Sequence, residues 1–119
     1  MKYDFLDDYF LSKKGVTKDF QQEWNAFRFL IDGKMVAYIG HHKDGREILT
    51  LKVEPFKSDI LKSEYKDIIE GYYMNKMWWC SIYLDGKVPE EVVKEMIDGS
   101  YELIAKGLTK KRQKELGLI

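Results

Sequence analysis

Two alternating runs on either side of Asp32-Gly33 constrain this chain more than any other feature. Phe27, Phe29 and Ile31 alternate with Ala26, Arg28 and Leu30 before the pair. Met35, Ala37 and Ile39 alternate with Val36 and Tyr38 after it. A period of two sends successive side chains to opposite faces of a strand, and Asp-Gly supplies the positive φ angles of a tight hairpin turn. A polar loop ending in Asp44-Gly45-Arg46 leads to a third alternation, Leu49, Leu51 and Val53 against Ile48, Thr50 and Lys52. The pattern predicts an antiparallel three-stranded meander.

Helical periods flank it. Phe5, Leu6, Tyr9 and Phe10 predict a helix over about 3–13, with Lys13 and Lys14 near its end and Gly15 as a stop. Pro55 suits the first turn of a second helix, because its missing N–H has no partner there; Phe56, Ile60, Leu61 and Tyr65 give that helix an apolar side. Residues 78–84 return to a strand, Trp78, Cys80, Ile82 and Leu84 alternating with Trp79, Ser81 and Tyr83, which places Trp78 on the inward phase. Asp85-Gly86 turns the chain. Pro89 then opens the longest helix, whose stripe of Val93, Ile97, Tyr101, Ile104 and Leu108 keeps its phase across Asp98-Gly99. One helix is therefore expected through about Lys106, at a cost of roughly 1 kcal/mol for the interior glycine. Gly107 ends it, and Thr109 is placed to cap a short basic last helix.

Helices and antiparallel strands in this order imply an α+β domain of two layers, with helices on one face of the sheet. If Leu49, Leu51, Ile82 and Leu84 face those helices, Thr50, Lys52, Trp79, Ser81 and Tyr83 face away and form an open aromatic and basic platform. A single bulge in a strand would exchange these faces.

A chain of 119 residues fits one domain and one core. Lysine plus arginine and aspartate plus glutamate each total 20, so the formal charge is zero. That balance excludes a general nucleic-acid coat, whose affinity comes from released counterions, and any such binding must use a local basic patch. The basic residues do gather toward the end, in Lys106, Lys110, Lys111, Arg112 and Lys114. Cys80 is the only cysteine and has no internal disulfide partner, which suits a reducing compartment. No stretch is apolar enough to span a membrane, and the acidic start is unlike a secretory signal, so the cytoplasm is the expected location.

Residues 71–79 read Gly-Tyr-Tyr-Met-Asn-Lys-Met-Trp-Trp. Large π-faces beside an amide and a cation are the means by which proteins hold flat or anionic partners. The candidate site is therefore Lys52, Tyr72, Tyr73, Asn75, Lys76 and Trp79, converging on one accessible patch, with Lys34 and Arg28 as further phosphate contacts. No catalytic constellation is legible. There is no glycine-rich phosphate loop, no zinc-ligand spacing and no nucleophile elbow. His41 and His42 are adjacent and diverge on an extended backbone, so they read as two solvated histidines. Cys80 lies in an apolar phase, where a thiol is packing. No metal and no cofactor are expected.

The ordered set Lys14-Gly15-Val16, Gly33-Lys34-Met35, Leu51-Lys52, Gly71-Tyr72-Tyr73-Met74-Asn75-Lys76, Trp79, Leu84-Asp85-Gly86, Val88-Pro89, Ser100-Tyr101-Glu102-Leu103 and Gly107-Leu108 resembles the MmcQ/YjbR family from about residue 13 to 115. Tyr73 and Trp78 stand where the family often has histidine, Glu70 where proline is frequent, and Lys14 in place of a proline. The resemblance implies a small cytoplasmic bacterial protein of order α-β-β-β-α-β-β-α-α, with a short strand near 71–76. It also implies DNA binding, since the family's fold is similar to a double-wing module of a phage transcription activator. The alternative is a module that takes a small anionic ligand in a pocket at 71–79, neutralised by Lys52 and Lys76, or a partner protein strand at a sheet edge.

Overall fold

Residues 3–119 are described by a computed structural model. Helix α1 (Leu6–Leu11) precedes four strands, β1 (Val16–Gln21), β2 (Ala26–Ile31), β3 (Lys34–His41) and β4 (Glu47–Lys52). Helix α2 (Pro55–Glu64), strands β5 (Ile68–Glu70) and β6 (Trp79–Tyr83), and helices α3 (Glu90–Lys106) and α4 (Lys110–Glu115) complete it. The strands form one antiparallel sheet in the order β1-β2-β3-β4-β6-β5. The α+β class is as expected, with one strand more. β1 was not legible because Val16–Gln21 alternates only weakly: it lies on the edge and buries little beyond Val16. The short strand expected near 71–76 lies at Ile68–Glu70 instead.

The turns follow the local chemistry. Asp32 and Gly33 both take positive φ, 50° and 76°, and close the β2–β3 hairpin. Pro55 sits in the first turn of α2, and Thr109 caps α4 by accepting the Arg112 N–H. α3 runs unbroken through Gly99, Gly107 following it.

One core lies between the sheet and the helices. Leu6 and Phe10 of α1 and Val93, Met96 and Ile97 of α3 pack onto Phe29, Ile31, Leu49, Leu51, Cys80 and Ile82. The Phe10 and Phe29 rings stack at 4.1 Å. A β-bulge interrupts β3: Phe29 pairs with Ala37 and Leu30 with Met35, leaving Val36 extra. Met35 thus joins the opposite face, while Ala37 and Ile39 stay with the helices. Ser100 of α3 secures the helix to the sheet, donating to the Val36 carbonyl at 2.7 Å and accepting the Lys52 N–H at 2.9 Å. Helix α2 is docked more lightly than its pattern suggests. Phe56 is 77% exposed and Ile60 is exposed, with Leu61 and Tyr65 left to meet the core.

The face turned away from the helices is not the open platform the alternation implied. Thr50, Ser81, Trp79 and Tyr83 are all buried. A second, smaller core of Ala26, Tyr38, Ile48 and Tyr83 lies there, under Tyr72 and Met74 of the segment 71–78. That segment is a strap laid across the sheet. No helix among the described residues is long and apolar enough to cross a membrane.

Candidate functional site

The strap is held by a row of polar residues that the pairing register aligns across the sheet. Asp19 lies opposite Arg28, Arg28 opposite Tyr38, Tyr38 opposite Thr50, and Thr50 opposite Ser81. Cross-strand partners share a face, so all five project toward the strap side. Buried hydroxyls need partners, and here they find one another and the strap backbone. Ser81 Oγ lies 2.6 Å from Thr50 Oγ1 and accepts the Tyr72 N–H at 3.0 Å. Tyr38 donates its hydroxyl to the Tyr72 carbonyl at 2.6 Å. Tyr72 is therefore gripped at both backbone groups. Burial pushes the Tyr38 phenol up, opposed by a hydrogen bond from Thr50.

Two further devices shape the strap. Gly71 enters so close to β6 that a Cβ would lie 2.6 Å from Trp79 Cβ, and its N–H bonds the Trp79 carbonyl at 2.9 Å. Asn75 closes the far end with an Asx turn, its Oδ1 accepting the N–H groups of Met77 at 2.9 Å and Trp78 at 3.3 Å. Tyr73, between these two, takes a left-handed backbone with φ 60°. A bulky non-glycine residue there is strained.

Between strap and sheet opens a cavity of about 350 Å³, lined by Glu23, Trp24, Tyr38, His41, Tyr72, Tyr73 and Met74. Trp24 is delivered by a 3₁₀ turn, Gln22–Trp24, between β1 and β2, and Asn25 leaves that turn with φ 49°. The rings of Trp24 and Tyr38 meet at 6.1 Å and 65°, those of Tyr72 and Tyr73 at 4.3 Å and 42°. Tyr73 is 87% exposed at the mouth. His42, expected in solvent, is instead packed against the Tyr72 ring at 4.6 Å, with a buried Nδ1 3.5 Å from Asp44 Oδ1. His41 does reach solvent, in the cavity wall. The Tyr72 phenol is raised, first by its hydrogen bond with Tyr73, then by burial and by neighbouring negative charge. Tyr83 is raised by burial and by its hydrogen bond to Asp44.

The residues singled out in the sequence divide among several places. Tyr72 and Tyr73 wall the cavity. Arg28 adjoins it, its guanidinium carbon 5.7 Å from the Trp24 ring, with both prongs of the fork on Asp19 at 2.9 and 2.6 Å. Lys76 pairs with Glu70 at 3.8 Å. Lys34 stands at the β2–β3 turn beside Asp32, whose carboxyl is lowered chiefly by Arg112. Lys52 lines a different groove of about 340 Å³ between α2 and α3, its Nζ 5.5 Å from the Trp78 ring. Trp79 is buried and Trp78 exposed, the reverse of the phase argument, because β6 begins only at Trp79 and Trp78 belongs to the strap's exit. Trp79, being buried, thus does not join Lys52, Asn75 and Lys76 in an accessible patch. Sequence reasoning missed Glu23, Trp24, Tyr38 and Met74 as site residues. The available signal was a tryptophan inside the polar run Gln21-Gln22-Glu23-Trp24-Asn25, where no core position calls for one.

Comparison with known proteins places this geometry among relatives. A family model described as YjbR matches residues 11–103. Uncharacterized protein YjbR of Escherichia coli K12 is 24% identical over 111 residues, 93% of either chain. Uncharacterized protein YbdF of Escherichia coli O157:H7 is 32% identical over 97 residues, 82% of this chain and 77% of its own. The crystal structure of Deinococcus radiodurans protein DR2400, of the domain family DUF419, superposes with a TM-score of 0.83 at 31% identity, covering 96% of this chain and 86% of that one. A Pseudomonas syringae crystal structure shares the fold, with a TM-score of 0.72 at 22% identity over 87% of this chain and 98% of that one.

Proposed function

The chain belongs to the YjbR family, and on that footing we propose that it is a binding module whose site is the aromatic cavity beneath the strap, with a compact small molecule as its ligand. The observation that carries this reading is the cavity itself. Its volume of about 350 Å³ lies at the lower end of ligand sites, and its walls are mostly rings. Tyr72 is fixed at both backbone groups, so one wall is largely formed before a ligand arrives.

The charges favour a pocket over a phosphate groove. Arg28, Lys76, Arg46 and Arg112 are each paired with a carboxylate. Neither Lys52 nor Lys76 lines the cavity, so the expected neutralisation of an anionic ligand has no lysine or arginine there among the described residues.

One observation favours DNA binding as a second reading. Trp78 is exposed with Lys52 over its ring, and Lys76 stands in solvent two residues earlier, a pairing of π-face and cation that suits a single strand. Thermal shift with a library of small metabolites, set beside fluorescence anisotropy with single- and double-stranded oligonucleotides at rising salt, separates the two. The pocket reading expects stabilising ligands whose effect disappears in Tyr73→Ala and persists in Lys52→Ala. Salt-sensitive oligonucleotide binding lost in Lys52→Ala and Lys76→Ala, with no small-molecule shift, overturns it in favour of DNA.

A further inference from the structure

Resting on the pocket reading, we propose that the cavity takes an alkylated ammonium cation, held against the faces of Trp24, Tyr38, Tyr72 and Tyr73 with Glu23 as its counter-ion. The ring pairs meet at 65° and 42°. Rings set at such angles offer a compact group contact from more than one side. Aromatic faces carry the negative end of the ring quadrupole, and an enclosing set of them is a means of binding quaternary ammonium. Among the described residues lining the cavity Glu23 is the one carboxylate, His41 is the one basic side chain, and there is no lysine or arginine. The adjacent Arg28 is bound through both prongs by Asp19.

Hydrogen-bond accounting points the same way. Two donors beside the cavity are already used, the Tyr38 hydroxyl on the Tyr72 carbonyl and the Tyr72 N–H on Ser81, and the described lining offers an anion no lysine or arginine. The Tyr72 phenol is engaged with Tyr73. A methylated ammonium has no N–H to satisfy and needs only π-faces, a carboxylate and soft contact such as the Met74 thioether. Tyr73 holds a left-handed backbone at the mouth while mostly exposed, the kind of strained residue found at ligand clamps.

The test is isothermal titration of the full chain with choline and with its neutral isostere 3,3-dimethylbutan-1-ol, extended to a peptide carrying trimethyl-lysine. Choline or the peptide is expected to bind about 5- to 30-fold more tightly than the alcohol. Glu23→Gln should narrow that ratio and Tyr73→Ala should abolish binding; both side chains are exposed, so the fold survives either change. Preference for choline assigns a free ligand, preference for the peptide a chain-borne one, and each supports the cation. Equal affinity for choline and the alcohol overturns the cation while leaving the pocket intact. Binding by none of the three also overturns it, and the pocket reading then falls only if the metabolite library is silent as well.

Discussion

Ser81→Ala tests whether the strap is held by the polar row or merely rests on it. The substitution removes one oxygen from a side chain with no solvent exposure, so it introduces no bulk. It leaves the Tyr72 N–H, now bonded at 3.0 Å, without an acceptor, and takes from Thr50 a partner at 2.6 Å. A buried group left unsatisfied costs about 1–3 kcal/mol. Opening the strap relieves that cost by giving the Tyr72 amide to water, so hydrogen exchange at this amide should accelerate about 5- to 150-fold, at tenfold per 1.4 kcal/mol. Tyr38→Phe frees the other end of the same residue and should act similarly. Once one grip is lost the strap can leave the other, so the double variant should lose less stability than the sum by more than about 0.5 kcal/mol. Exchange read by NMR and stability read by urea titration measure both. A folded Ser81→Ala protein with unchanged exchange at Tyr72, or a strictly additive pair, refutes the grip.

Two glycines should respond in opposite directions. Gly71→Ala sets a Cβ 2.6 Å from Trp79 Cβ and 2.8 Å from its carbonyl oxygen, and backbone cannot yield, so a loss of about 1–3 kcal/mol in urea titration is expected. Gly99→Ala meets nothing within 4 Å inside α3 and should gain about 0.5–1 kcal/mol. Acid should unfold the protein through its paired carboxylates. Asp19, Asp32 and Asp85 are lowered by hydrogen bonds from Arg28, Arg112 and Arg46, and Asp44 by the Arg46 backbone. A depressed pKa gives stability that is complete above the unfolded value, about pH 4, and lost as pH falls through the lower folded values. Urea midpoints should therefore drop below about pH 4, and Arg112→Ala should raise the Asp32 titration followed by NMR. Burial pushes the Cys80 thiol up, so iodoacetamide at pH 8 should label it only on unfolding; rapid labelling of the native protein would contradict its packing.

The amino-acid order by itself determined the elements whose signals are local. Asp32-Gly33 dictates its hairpin through φ, Pro55 and Thr109 start helices through their own bonding, and the α3 stripe survives Gly99 because burial along a 17-residue helix outweighs one flexible position. The helix-facing phase of β4 and β6 was legible for the same reason, and the chain's family was legible in the run around Tyr72. Tertiary structure decided the rest. Alternation says that Thr50, Ser81 and Tyr83 turn from the helices, but not that a strap returns to cover them, since that depends on where the polar row can find partners. The bulge at Val36 and the start of β6 at Trp79 set which aromatics are covered, and a one-residue shift reverses a face. Trp24 and Tyr38 meet Tyr72 only across the sheet, so the cavity exists in no segment of the chain taken alone.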